Sequence, residues 1–131
     1  MKRRNDPEVA AWLEKADGDL RVARFALTAE DPLLDQACFH SQQTAEKALK
    51  ALFVAAELPV PKTHDLLLLA DGLETSCPEV EPFAPALAAL TPYSVTPRYP
   101  SWLAPETRTE AEEAVRSAGA LLDAVMQMLD R

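Results

Sequence analysis

The residues able to do chemistry in this chain sit in a few short stretches. In FHSQQTAEKALKALF, residues 39 to 53, His40, Gln43, Lys47 and Lys50 recur at i, i+3, i+7 and i+10. On a helix they share one stripe, which offers an imidazole, an amide and two ammonium groups to an anionic ligand or partner. A second histidine, His64, follows Lys62 in KTHDL, and PRYP adds the planar guanidinium of Arg98 and the phenol of Tyr99. An arginine fork suits carboxylate and phosphate oxygens. The plain alternative is a solvated helix face, with Glu46 and Lys50 forming an i, i+4 pair that contributes about 0.2–0.5 kcal/mol.

Other chemistries lack their residues. Two histidines with no HExxH and no cysteine cluster form no metal site. Three scattered glycines (Gly18, Gly72, Gly119) build no phosphate loop, and no Gly-x-Ser-x-Gly elbow occurs. No cofactor is expected. Trp12 and Trp102 read as packing anchors rather than stacking platforms, because no basic surround accompanies them.

These side chains must be positioned by helices. Leu and Ala dominate, Ile is absent and Gly is rare, a composition that favours helix over sheet. Asp6-Pro7 is a helix start. Val9, Trp12, Leu13, Ala16, Leu20, Ala23 and Leu27 then follow helical spacing, so a first helix is expected from Pro7 to Ala29. A second covers residues 33 to 58 and is stopped by Pro59 and Pro61. Its core line is Ala45, Leu49, Leu52 and Ala56. Gln42 points nearly the same way and must find partners for its amide; Glu46 lies at the edge of that line.

Thr63 is the expected N-cap of a third helix, with Asp65 in its first turn and Leu66, Leu69, Ala70 and Leu73 on its apolar side. All prolines but Pro7 and Pro32 fall between Pro59 and Pro105. That region holds a short helical stretch from Phe83 to Leu90 and an irregular, aromatic-rich run over residues 91 to 105. A last helix is expected from Glu106 to Asp130, its buried line running from Ala111 to Leu129. The outcome is an all-α bundle forming a single domain over residues 1–131.

The net charge of −8 argues against non-specific nucleic-acid binding, which needs clustered cations. Residues 36 to 64 nevertheless hold Lys47, Lys50 and Lys62 against Glu46 and Glu57, and residues 91 to 105 hold Arg98 and no acid. An anionic ligand is least repelled there. Cys38 and Cys77 read as reduced thiols. No signal peptide precedes Lys2-Arg3-Arg4 and the run Leu66 to Ala70 is too short to span a bilayer. A cytoplasmic location without membrane contact is expected.

Taken in order, FHSQQTAEKALKALF, a proline break, KTHDL and PRYP before a final helix resemble the HEPN domain (higher eukaryotes and prokaryotes nucleotide-binding). The resemblance covers most of the chain. It implies an up-and-down bundle of four to five helices, a homodimer, and a minimal nucleotidyltransferase as partner in a toxin–antitoxin-like pair. Many such domains are metal-independent ribonucleases whose motif is Arg, four to six residues, then His. After Arg98 the chain reads Tyr, Pro, Ser, Trp, Leu, Ala, Pro, and both histidines lie upstream. Two functions are therefore expected in competition. One is a non-catalytic module binding a partner or nucleotide through His40, Gln43, Lys47, Lys50, His64, Arg98 and Tyr99. The other is a degenerate ribonuclease in which His40 or His64 replaces the missing histidine.

Overall fold

The computed structural model describes residues 1–94 and 106–130. Among these residues all regular structure is helical, with no strand. The order is α1 (Pro7–Thr28), α2 (Leu34–Ala55), α3 (Leu66–Gly72), α4 (Ala84–Leu90) and α5 (Arg108–Leu129), with 3-10 turns at Pro78–Phe83 and Thr91–Ser94.

Helix starts follow local chemistry. Asp6 caps α1, its carboxylate accepting from the backbone N–H groups of Glu8 and Val9, with Pro7 in the first turn. Helix α5 begins two residues later than the sequence suggests. Thr107 caps it and Glu110 returns a bond to the Thr107 N–H, forming a reciprocal capping box. The cap of α3 also differs from expectation. Asp65, not Thr63, accepts from Leu67 N and Leu68 N, while the Thr63 hydroxyl accepts from Asp65 N. His64 is thus left outside the helix, on the segment leading into it.

Helix α2 ends earlier than residue 58. Ala56 is its C-cap and Glu57 adopts φ 60°, with Glu57 N donating to Val54 O and Leu58 N to Phe53 O. This Schellman turn satisfies the last carbonyls and reverses the chain. Pro59 and Pro61 follow, so the segment carrying His64 is sent back along α2.

The core is built around α2, which packs against α1 and α5 and also meets α3 and α4. Fifteen of its 22 residues are buried, so it has no broad wet face. The expected apolar lines of α1 and α5 are in the core, including Val9, Leu13, Leu20, Leu121, Leu122 and Leu129. Leu27 and Trp12 pack at its margin. A fully buried Leu contributes about 1.5–3 kcal/mol, so this shared centre holds the helices together. At Gly72 a Cβ would sit 2.8 Å from the ring of Phe53, which is why α3 ends on a glycine as it crosses α2. The N-terminal segment straps the base: Lys2 N donates to Ala55 O and Arg4 N to Leu129 O. No helix among the described residues is long and apolar enough to cross a membrane.

Candidate functional site

Two carboxylates organise the polar residues of α2. The first is Asp19 on α1. It lies three residues after Ala16 and four before Ala23, on the buried line of its helix, and so faces α2. His40 Nδ1 is 2.8 Å from Asp19 Oδ1, and Lys47 Nζ donates to Oδ2 at 2.5 Å. A carboxylate has only acceptors, so His40 is the donor. The three side chains are largely covered. Phe39 meets His40 edge-on at 5.1 Å between ring centres.

The second is Glu46, one turn along α2 from Gln42 and only 4% exposed. Its Oε2 accepts from Lys50 Nζ at 3.0 Å, and Oε1 lies 2.7 Å from His64 Nδ1. Lys50 is itself 8% exposed, and its ammonium sits 5.8 Å from the centre of the Trp12 ring, within cation–π range. By sequence periodicity Lys50 falls on a face opposite the core. Here that face is covered by α1, and the Glu46–Lys50 pair is a buried one. A one-sided periodicity misplaces a helix that is surrounded.

Gln42 ties these groups together. It is fully buried, as its alignment with Leu49 required, and its amide is used on both sides. The Nε2 group donates to His64 O at 3.0 Å and weakly to Glu46 Oε1, while Oε1 accepts from Gln43 Nε2 at 2.7 Å. No buried side-chain nitrogen or oxygen is left without a partner among the described residues. The result is a polar seam between α1, α2 and the segment before α3.

Charges in the seam cancel: Asp19 and Glu46 against Lys47 and Lys50. Protonating either imidazole makes it positive. His40 is mostly covered, whereas the His64 side chain is 72% exposed. With Nδ1 donating to Glu46, the Nε2 atom of His64 carries the lone pair of a neutral ring. This oriented nitrogen is the chemically available group of the seam.

Of the expected site residues, the structure brings together His40, Gln43, Lys47, Lys50 and His64 along one seam. Arg98 and Tyr99 lie outside the described residues, as does Trp102. Asp19 is not among the residues expected from sequence, although an acid on an otherwise apolar helical line is its signal. Elsewhere on α2 the Cys38 thiol is pushed up to about 12, mainly by burial and then by the nearby Glu106 carboxylate. Tyr93, its neighbour, is also raised to about 12 by burial and by Cys38. Both cysteines are free and buried, and no group of three or more metal-ligating side chains forms among the described residues.

Residues 9–129 match the sequence profile of the HEPN domain. No match is found among curated proteins. Two solved structures share the fold. The crystal structure of TT1696 from Thermus thermophilus is 33% identical with a TM-score of 0.78, covering 92% of this chain and 98% of that one. ST0689, described as an archaeal HEPN homologue, is 26% identical with a TM-score of 0.70, covering 98% of this chain and 99% of that one.

Proposed function

Because the chain belongs to the HEPN domain family, we propose that it is a binding module whose ligand is a nucleotide phosphate taken at His64. The observation supporting this is the geometry of that ring. Its Nδ1 is held 2.7 Å from a buried carboxylate, and its other edge is open to solvent. A protonated His64 donates from Nε2 to a phosphate oxygen while Glu46 balances the charge on Nδ1. Lys47 and Lys50 are engaged with Asp19 and Glu46, so they tune the seam more than they grip a ligand. The protein partner suggested by the resemblance is a minimal nucleotidyltransferase, and Arg98 is the second anion-binding group of this reading.

Calorimetric titration of adenosine mono- and triphosphate into the wild-type chain and into His64→Ala tests the proposal. Binding should weaken roughly tenfold or more, the loss of one charge-assisted hydrogen bond. Equal affinity in both proteins removes His64 from the site.

The same geometry favours a second reading. An imidazole oriented by a carboxylate through Nδ1, with Nε2 free, is the arrangement of a general base. Cleavage of RNA in EDTA that is lost in both His64→Ala and Arg98→Ala would make the chain a metal-independent ribonuclease. Intact RNA leaves the binding module.

A further inference from the structure

The two histidines of the seam make the same kind of bond and differ in access. His40 Nδ1 lies 2.8 Å from Asp19, and His64 Nδ1 lies 2.7 Å from Glu46. The His40 side chain is 23% exposed and rests edge-on against Phe39, whereas that of His64 is 72% exposed. A side chain this open ordinarily turns freely. His64 is held at both ends instead. Its carbonyl accepts from the buried Gln42 amide at 3.0 Å, and its ring donates to the buried Glu46. The bond at Nδ1 fixes the tautomer and leaves the lone pair of the neutral ring on Nε2.

We infer that His64 Nε2 is a phosphoryl acceptor, taking the group from a phosphoramidate, a donor that carries phosphoryl on nitrogen. The Nε2 lone pair attacks phosphorus and forms the new P–N bond. The donor's own P–N bond breaks, and its electron pair stays on the donor nitrogen, which was already protonated and leaves neutral. No proton departs from His64. Nδ1 keeps its hydrogen, the ring becomes a cation, and the Glu46 carboxylate beside it stabilises that charge as it forms. Lys50 holds the other oxygen of Glu46 at 3.0 Å, which keeps the carboxylate aimed at the ring.

The flanking charges suit an incoming anion. Lys62 stands two residues earlier, exposed and without an ion pair among the described residues. Asp65, on the other flank, has its carboxylate turned to the N–H groups of Leu67 and Leu68. Once on Nε2, the phosphoryl group uses up the lone pair and brings negative charge. It therefore closes the ring to the nucleotide phosphate proposed above. The inference concerns the same ring as that reading and needs no nucleotide affinity, so calorimetry tests one and phosphoryl transfer the other.

The test is incubation of the full chain with potassium phosphoramidate in EDTA, followed by intact-mass measurement and peptide mapping under alkaline conditions. One phosphoryl group should be gained, on His64, and lost in mild acid as a P–N bond requires. It should form roughly tenfold faster than on N-acetylhistidine at the same pH, the effect of one charge-assisted hydrogen bond. His40 should stay unlabelled. Glu46→Gln should slow labelling roughly tenfold, because Glu46 is a positioning residue whose charge acts through the ring. That variant disturbs a buried pair, so circular dichroism must show it folded; the comparison with N-acetylhistidine stands without it. Absence of label overturns the inference, as does equal labelling of His40 and His64. So does an acid-stable label, which would sit on a hydroxyl, or a rate on His64 no greater than that of N-acetylhistidine. A folded Glu46→Gln labelled at the wild-type rate likewise overturns it.

Discussion

Lys50 donates to Glu46 across 3.0 Å inside the bundle, with the Trp12 ring over the ammonium and His64 on the other carboxylate oxygen. Removing one member of such a pair leaves a buried charge with less compensation, which typically costs about 3–5 kcal/mol. Glu46 keeps His64 and Gln42, so Lys50→Met should cost about 3 kcal/mol in urea unfolding. Glu46→Gln with Lys50→Met should recover most of it, since a neutral pair needs no charge balance. A single variant within about 0.5 kcal/mol of wild type, the range of a surface change, would show that water reaches the pair.

Glu57 occupies the left-handed position of the turn that ends α2. A side chain there costs roughly 1 kcal/mol that glycine avoids. Glu57→Gly should therefore raise stability by about that amount, less the greater freedom of glycine in the unfolded chain. A fall in Tm would show that the Glu57 side chain makes a contribution larger than the backbone strain.

Gly72→Ala should act in the opposite direction. Its new Cβ would approach the Phe53 ring to 2.8 Å, and Phe53 is buried against the core. Overpacking of this kind costs about 1–3 kcal/mol. Phe53→Leu should relieve much of it, so the double variant should be more stable than the sum of the single effects. Simple additivity would locate the strain elsewhere.

Alkaline stability should depend on Cys38 and Tyr93. Folding raises the thiol from 9.0 and the phenol from 10.0, each to about 12. Between those values the unfolded chain has released protons that the folded chain still holds. Stability is therefore fully present below about pH 9 and is lost as pH rises towards 12. Urea unfolding from about pH 8 to about pH 10.5 should show this decline, and Cys38→Ala should make it shallower. An unchanged slope would exclude the thiol as a contributor.

How far the fold and site could be read beforehand depends on what covers each helix. Helices α1 and α5 have one covered side, and the spacing of Val9 to Ala23 and of Ala111 to Leu129 revealed it. Helix α2 is covered by several neighbours, so Lys50 and Glu46 went inside although their spacing resembled an exposed pair. Gln42 was legible because its position, in line with Leu49, demanded partners. What those partners were was not legible, because the His64 carbonyl is brought to Gln42 only by the reversal at Glu57. Asp19 was readable in principle, as a charge standing between Ala16 and Ala23. The choice of Asp65 over Thr63 as cap turned on backbone geometry that either side chain could have served.

The strap at the base has a consequence for how the molecule assembles. Arg4 is joined to Asp130 and Leu129, partners 126 and 125 positions away. Contacts of such separation are slow to form, because the intervening chain must be ordered first. During synthesis α1 and α2 can pair as an early hairpin, with the apolar edge of α2 still uncovered. That edge is sealed only when α5 has emerged. Residues 2 to 4, made before the rest of the bundle, are therefore fastened last, and a chain halted before α5 exposes the centre of the bundle to aggregation.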